Sequence, residues 1–152
     1  MTWQEIVQIL TAGLGALGYA LIYNIRGKKL VMASLGGLLS WTLFVMFSRF
    51  IDSEPIKYFL VAALISAYSE IMARVLTTPT TTFIMTALIP LIPGGSLYYT
   101  MAYAFESDMN AFLEQAIHTL KLASALALGI LLTTAGWRFI TGLMESKRRN
   151  NA

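Results

Sequence analysis

Apolar residues run along this chain in stretches of about twenty, and polar residues gather in the short gaps between them. The first stretch runs from about Ile6 to Tyr23 and closes at Asn24-Ile25-Arg26-Gly27-Lys28-Lys29. The second runs from Leu30 to Phe50, where Asp52-Ser53-Glu54-Pro55 breaks it. The third runs from about Ile56 to Leu76. Thr77-Thr78-Pro79-Thr80 then marks a boundary, because a residue before proline is pushed out of helical angles. The fourth, Thr81 to Phe105, is interrupted by Pro90-Leu91-Ile92-Pro93-Gly94-Gly95. An amphipathic stretch, Glu106 to Gln115, leads into the fifth, Ala116 to Leu143. Stretches this long and apolar on every side predict membrane-spanning helices. A membrane strand would instead alternate over about ten residues. The pattern therefore predicts an all-α integral membrane bundle forming one transmembrane domain over residues 1–152. Its five spans fall at about 6–25, 30–50, 56–76, 81–105 (broken near 90–95) and 116–143.

Composition agrees. Of 152 residues, 57% are hydrophobic and only 12% charged, against about 25% charged in soluble domains. Mean hydropathy is +0.65. Five spans of about 20 residues take up about 100 positions, so only short loops remain. The formal net charge of +3 would suggest nucleic acid in a soluble domain. Here the basic residues sit at helix ends, where membrane topology accounts for them, and no nucleic acid is expected. The absence of cysteine excludes disulfides, thiolate metal sites and cysteine nucleophiles. Met1 to Glu5 carries no Lys or Arg, so the first stretch reads as a retained helix rather than a cleaved signal.

Charge also sets an orientation. Arg26, Lys28 and Lys29 follow the first span, and Arg138, Lys147, Arg148 and Arg149 close the chain. Glu106, Asp108 and Glu114 make the fourth loop acidic. By the positive-inside rule, five spans with the N-terminus outside put both basic clusters in the cytoplasm and the acidic loop outside. Trp3, Tyr23, Phe47, Tyr58, Phe105 and Trp137 fall near span ends, as an interfacial belt requires. Gly13, Gly15 and Gly18 in the first span, with Gly36 and Gly37 in the second, allow close helix approach, either within the chain or to a partner. There is no internal repeat of the kind many transporters carry. An odd span count then suggests half of a machine, completed by another chain or a second copy.

The strongest candidate site is the interrupted fourth stretch. Pro90 and Pro93 remove backbone donors, and Gly94 and Gly95 permit angles closed to other residues. Unwound backbone at membrane depth is tolerated only where it is buried in protein or lines a cavity. A half-helix starting near Gly95 would aim free N–H groups at a substrate carboxylate. The freed carbonyls upstream would receive an ammonium group, and Ser96, Tyr98, Tyr99 and Thr100 supply hydroxyls. A plain proline kink without ligand is the other reading. In the third span, Glu70 and Arg74 stand four apart on one helix face beside Ser69, as a proton-coupling carboxylate or a structural ion pair. Asn24 is a helix cap or a polar contact to a partner. Trp41 reads as packing. Glu114, His118 and Lys121 share a face that reads as solvated, and no metal or cofactor is expected. No phosphate loop, zinc-helix motif or nucleophile elbow is present, which disfavours an enzyme.

Several segments resemble the threonine/serine exporter family. They are Glu70-Ile71-Met72-Ala73-Arg74, Pro79-Thr80-Thr81-Thr82-Phe83, Ile89-Pro90-Leu91-Ile92-Pro93-Gly94 and Tyr98-Tyr99-Thr100-Met101, with Tyr23-Asn24, Gly36-Gly37 and Trp41. The resemblance runs from about Leu21 to Gly142 and covers that family's C-terminal half, or the small subunit of its split two-component form. It implies a proton-driven inner-membrane exporter of threonine, serine or related amino acids, or of dicarboxylates such as succinate. It also implies a larger five-span partner subunit. A self-assembling homo-oligomeric channel or scaffold is the alternative reading.

Overall fold

The computed structural model describes residues 2–106 and 108–150, with the backbone alone from 143 to 150. The side chains of Lys147, Arg148 and Arg149 therefore lie outside the described residues. Six α-helices form: α1 (Trp3–Ile22), α2 (Lys28–Phe47), α3 (Glu54–Val75), α4 (Thr80–Leu88), α5 (Gly94–Phe105) and α6 (Met109–Asn150). The described residues contain no strand.

Local chemistry fixes the helix ends. Thr2 and Glu5 form a reciprocal capping box at the start of α1, satisfying two N–H groups that the helix leaves free. At its other end Asn24 takes a left-handed φ of 56°. The Ile25 N–H donates to the Ala20 carbonyl and the Asn24 N–H to that of Leu21, which is a Schellman closure. Asn24 is thus the residue just past the helix, and its side-chain oxygen accepts from Arg26 Nε at 2.8 Å. The same closure ends α3, with Thr77 at φ 47° and the Thr78 N–H on the Ala73 carbonyl. The amphipathic stretch leads into the fifth apolar segment within one helix: α6 begins at Met109 and runs without interruption through it.

Four helices are long and apolar enough to cross a bilayer. The pair Thr80–Leu91 and Gly94–Phe105, bent by 57°, makes a fifth crossing if it counts as one span. Between these two halves, Ile89–Leu91 form a 3₁₀ turn, Ile92 is extended and Pro93 leads into α5. Ile92 is extended because Pro93 follows it. Gly94 and Gly95 depart from expectation. Among the described residues only Gly27 has a positive φ among glycines, so both sit in α5 with angles any residue adopts. The chain turns at Ile92 and Pro93, where the proline ring sets the geometry.

Packing is tightest where side chains are smallest. A Cβ at Gly37 would run into the Ala16 Cβ, and one at Gly36 would lie 2.8 Å from the Ala87 Cβ. These glycines let α2 press against α1 on one side and α4 on the other. Gly129 does the same between α6 and α3, where a Cβ would lie 2.6 Å from the Phe59 carbonyl oxygen. Such contacts replace the hydrophobic drive that lipid does not provide. Gly15 and Gly18 have nothing within 4 Å and take no part. Val61, Ile65, Ala87 and Leu91 form the central buried cluster, joining α3 to α4 and the turn after it. Outside this core the surface is apolar: α5 buries no residue, and Leu10, Leu14, Leu17 and Leu21 of α1 are exposed. That is the surface a bilayer covers.

Candidate functional site

Three cavities converge on the turn between α4 and α5. The first, about 410 Å³, is lined by Glu54 and Tyr58 of α3, Pro93, Gly94, Gly95, Ser96 and Tyr99 at the head of α5, and Gln115 and His118 of α6. Trp41 and Pro90 complete its wall. The second, about 720 Å³, holds Glu70, Thr80, Thr81, Thr134 and Arg138, with Tyr19 at its edge. Ile92 lines both, so the two spaces adjoin at the extended residue of the turn. A third space of about 310 Å³ opens between α1 and α2, lined by Gln8, Thr11, Trp41 and Pro90.

In the first cavity the His118 Nε2 lies 3.1 Å from the Glu54 carboxylate. Gln115 Nε2 donates to Ser96 Oγ at 2.9 Å, and the Thr100 and Thr119 hydroxyls lie 3.1 Å apart. These contacts fasten the front of α5 to α6. No side chain caps α5; the Gly94 N–H donates to the Ile92 carbonyl, and the N–H groups of Gly95 and Ser96, with the positive end of the dipole, are left to the cavity. Trp41 stacks on Phe44 at 5.2 Å, and its buried indole N–H has no protein partner.

In the second cavity Glu70 accepts a hydrogen bond from the Thr80 hydroxyl at 3.3 Å. Arg74, expected beside it, turns away: its guanidinium lies over the Trp137 ring, 5.5 Å from the centroid. The ion pairs among the described residues are instead Arg49–Glu5 at 2.8 Å and His118–Glu54. The cation sharing Glu70's cavity is Arg138.

The fold thus gathers six of the expected residues, Pro90, Pro93, Gly94, Gly95, Ser96 and Tyr99, around one space. Tyr98 points away and is exposed, with its ring edge-on to Tyr99. Ser69 is fully buried with an unpartnered hydroxyl and lines no cavity described here. Asn24 stays at the end of α1. Sequence reasoning missed Glu54, Tyr58 and Gln115, and read His118 as part of a solvated face. Glu54 and His118 each sit near a helix start, and only the packing of α3 on α6 brings them together. The described residues contain no cluster of three or more metal-ligating side chains.

The cavity at the head of α5 is mostly polar, while the larger one has a mainly apolar wall set with a few polar groups; each holds an acidic and a basic side chain. That arrangement suits passage of a small polar solute. No curated protein and no solved structure matches the chain. The sequence model of the family described as threonine/serine exporter, ThrE, matches residues 8–135. That span takes in every residue of both cavities except Arg138. The chain is therefore a multi-pass membrane protein of the exporter type and belongs to the threonine/serine exporter family.

Proposed function

We propose that this chain is a subunit of a secondary-active exporter that carries threonine, serine or a related small amino acid out of the cell. Dicarboxylates such as succinate are the next candidates. The observation that carries this reading is the pair of cavities that share Ile92, each with an acidic and a basic side chain and hydroxyl groups in its wall. A solute that alternates between two faces of a membrane needs a polar chamber toward each, with a narrow partition between them. The turn holding Pro90, Pro93, Gly94, Gly95, Ser96 and Tyr99 is the substrate-binding element. The uncapped start of α5 receives the substrate carboxylate, as broken helices do in other transporters.

Glu70 carries the coupling proton. It is a half-buried carboxylate in the larger cavity, where an ionisable group is costly unless it is used. The N-terminus faces outward and the C-terminus the cytoplasm of an inner membrane. Arg26, Lys28 and Lys29 then share the cytoplasmic end with Glu70, and Glu54 and His118 face outward. A larger five-span subunit of the same family completes the pathway. The open glycines Gly15 and Gly18 of α1 suit close contact with another helix.

Inverted membrane vesicles test the reading, with labelled serine, threonine and succinate offered to this chain alone and with a five-span partner. Gradient-dependent uptake requiring both chains is expected. Uptake of all labels at the background rate, with both chains in the membrane, would overturn it.

A further inference from the structure

The exporter reading leaves the Glu54–His118 pair without a task. His118 is the sequence's single histidine, and it meets Glu54 inside the cavity that also holds the uncapped start of α5. Both side chains are partly open, at 40% and 50% exposure. A solute entering the cavity can reach them, and the pair is not a sealed structural bridge. At about 410 Å³ the space is in the range of small-molecule sites.

We propose that Glu54 is the ammonium-binding carboxylate of this outer cavity and that His118 is its proton-controlled competitor. Glu54 holds either the imidazolium of His118 or the ammonium of a small α-amino acid whose carboxylate lies at the start of α5. The inference takes its ligand from the exporter reading. The exchange balances: an ammonium group binds Glu54, and the displaced imidazolium gives its proton to water in the cavity. In reverse, a proton arriving from an acidic exterior charges His118, which recaptures Glu54 and expels the amino acid. An acidic exterior thereby favours outward release, while Glu70 carries the proton that couples transport to the gradient. Histidine suits the part because its charge changes between about pH 5 and 8.

Among the described residues no other charged side chain lines the cavity. α3 adds the Tyr58 phenol and α5 that of Tyr99, while α2 and the turn contribute only Trp41, Pro90, Ile92 and Pro93. Elsewhere at this end Arg49 is paired with Glu5, and Lys57 lies over the Phe44 ring. On α6, Glu114 and Lys121 are exposed and outside the lining.

Because there is one histidine, its imidazole proton resonances report on this site alone. The full chain in lipid nanodiscs at about pH 6.5, where imidazole is ordinarily half-charged, is titrated with L-serine and, separately, with N-acetyl-L-serine, which lacks the ammonium. L-serine is expected to move the His118 resonances toward the neutral form, N-acetyl-L-serine to leave them, and Glu54→Gln to abolish the response. No response in the native chain, or the same response in Glu54→Gln, overturns the inference. In vesicles, serine–serine exchange, which does not use the Glu70 proton, is expected to persist in His118→Gln while losing its dependence on outer pH. That dependence is about tenfold per pH unit once histidine is mostly charged. Native pH dependence in His118→Gln also overturns the inference, leaving the exporter reading intact. The resonance shift without serine transport in vesicles would sink the exporter reading and leave the site standing.

Discussion

The Thr80 hydroxyl donates to the Glu70 carboxylate across 3.3 Å, joining the first turn of α4 to the last turns of α3 at the wall of the larger cavity. Glu70→Gln keeps an acceptor for Thr80 and removes only the charge. If Glu70 carries the coupling proton, gradient-driven uptake of serine into inverted vesicles falls to background while serine–serine exchange persists. Undiminished driven uptake in this variant refutes the assignment.

Gly94 lines the outer cavity, and a Cβ added there meets nothing within 4 Å. Gly94→Leu is therefore expected to fold and reach the membrane with a melting temperature within about 2 °C of the native chain. Its side chain narrows the approach to the start of α5, so transport should fall by about tenfold or more. Normal transport would show that the turn does not shape the substrate site.

Gly37 and Gly15 make a controlled pair. An alanine Cβ at Gly37 runs into Ala16, whereas one at Gly15 meets open space. Gly37→Ala should destabilise the bundle by about 1–3 kcal/mol through overpacking. Gly15→Ala should be neutral or gain up to about 1 kcal/mol from helix propensity. Thermal unfolding in detergent reads both, and equal effects would contradict the close α1–α2 contact.

Thr77 closes α3 with a left-handed φ of 47°, an angle that β-branched residues adopt only under strain. Thr77→Gly should relieve about 1 kcal/mol of that strain and raise the melting temperature by about 2–4 °C. An unchanged or lower melting temperature would mean that the Thr77 side chain stabilises this turn.

Gln115 and Ser96 hold the start of α5 against α6. Gln115→Leu removes the donor at nearly constant volume. A double-mutant cycle with Ser96→Ala should give a coupling of about 0.6–1.7 kcal/mol, the scale of interhelical hydrogen bonds in membranes. A coupling near zero would mean that the bond does not position α5.

By itself the sequence determined what the bilayer dictates: helices rather than strands, several of them apolar enough to cross, and a proline- and glycine-containing interruption in the fourth apolar stretch. Those features are local. A chain in lipid must satisfy its backbone within each segment, so apolar run length and the placement of Pro, Asp and Lys suffice to read them. Only the tertiary structure decided which polar groups share a chamber. Glu54 looked like a loop residue and His118 like part of a wet helix face. They meet because Gly129 lets α6 press against the backbone of α3. Arg74 seemed the natural partner of Glu70 four residues away, yet Trp137 of α6 draws its guanidinium off and Arg138 joins the Glu70 cavity instead. Gly94 and Gly95 looked like the source of unusual backbone angles, while Pro93 and the extended Ile92 before it make the turn. Such pairings depend on helix rotation and close approach, which small residues distant in the chain control and which no local pattern encodes.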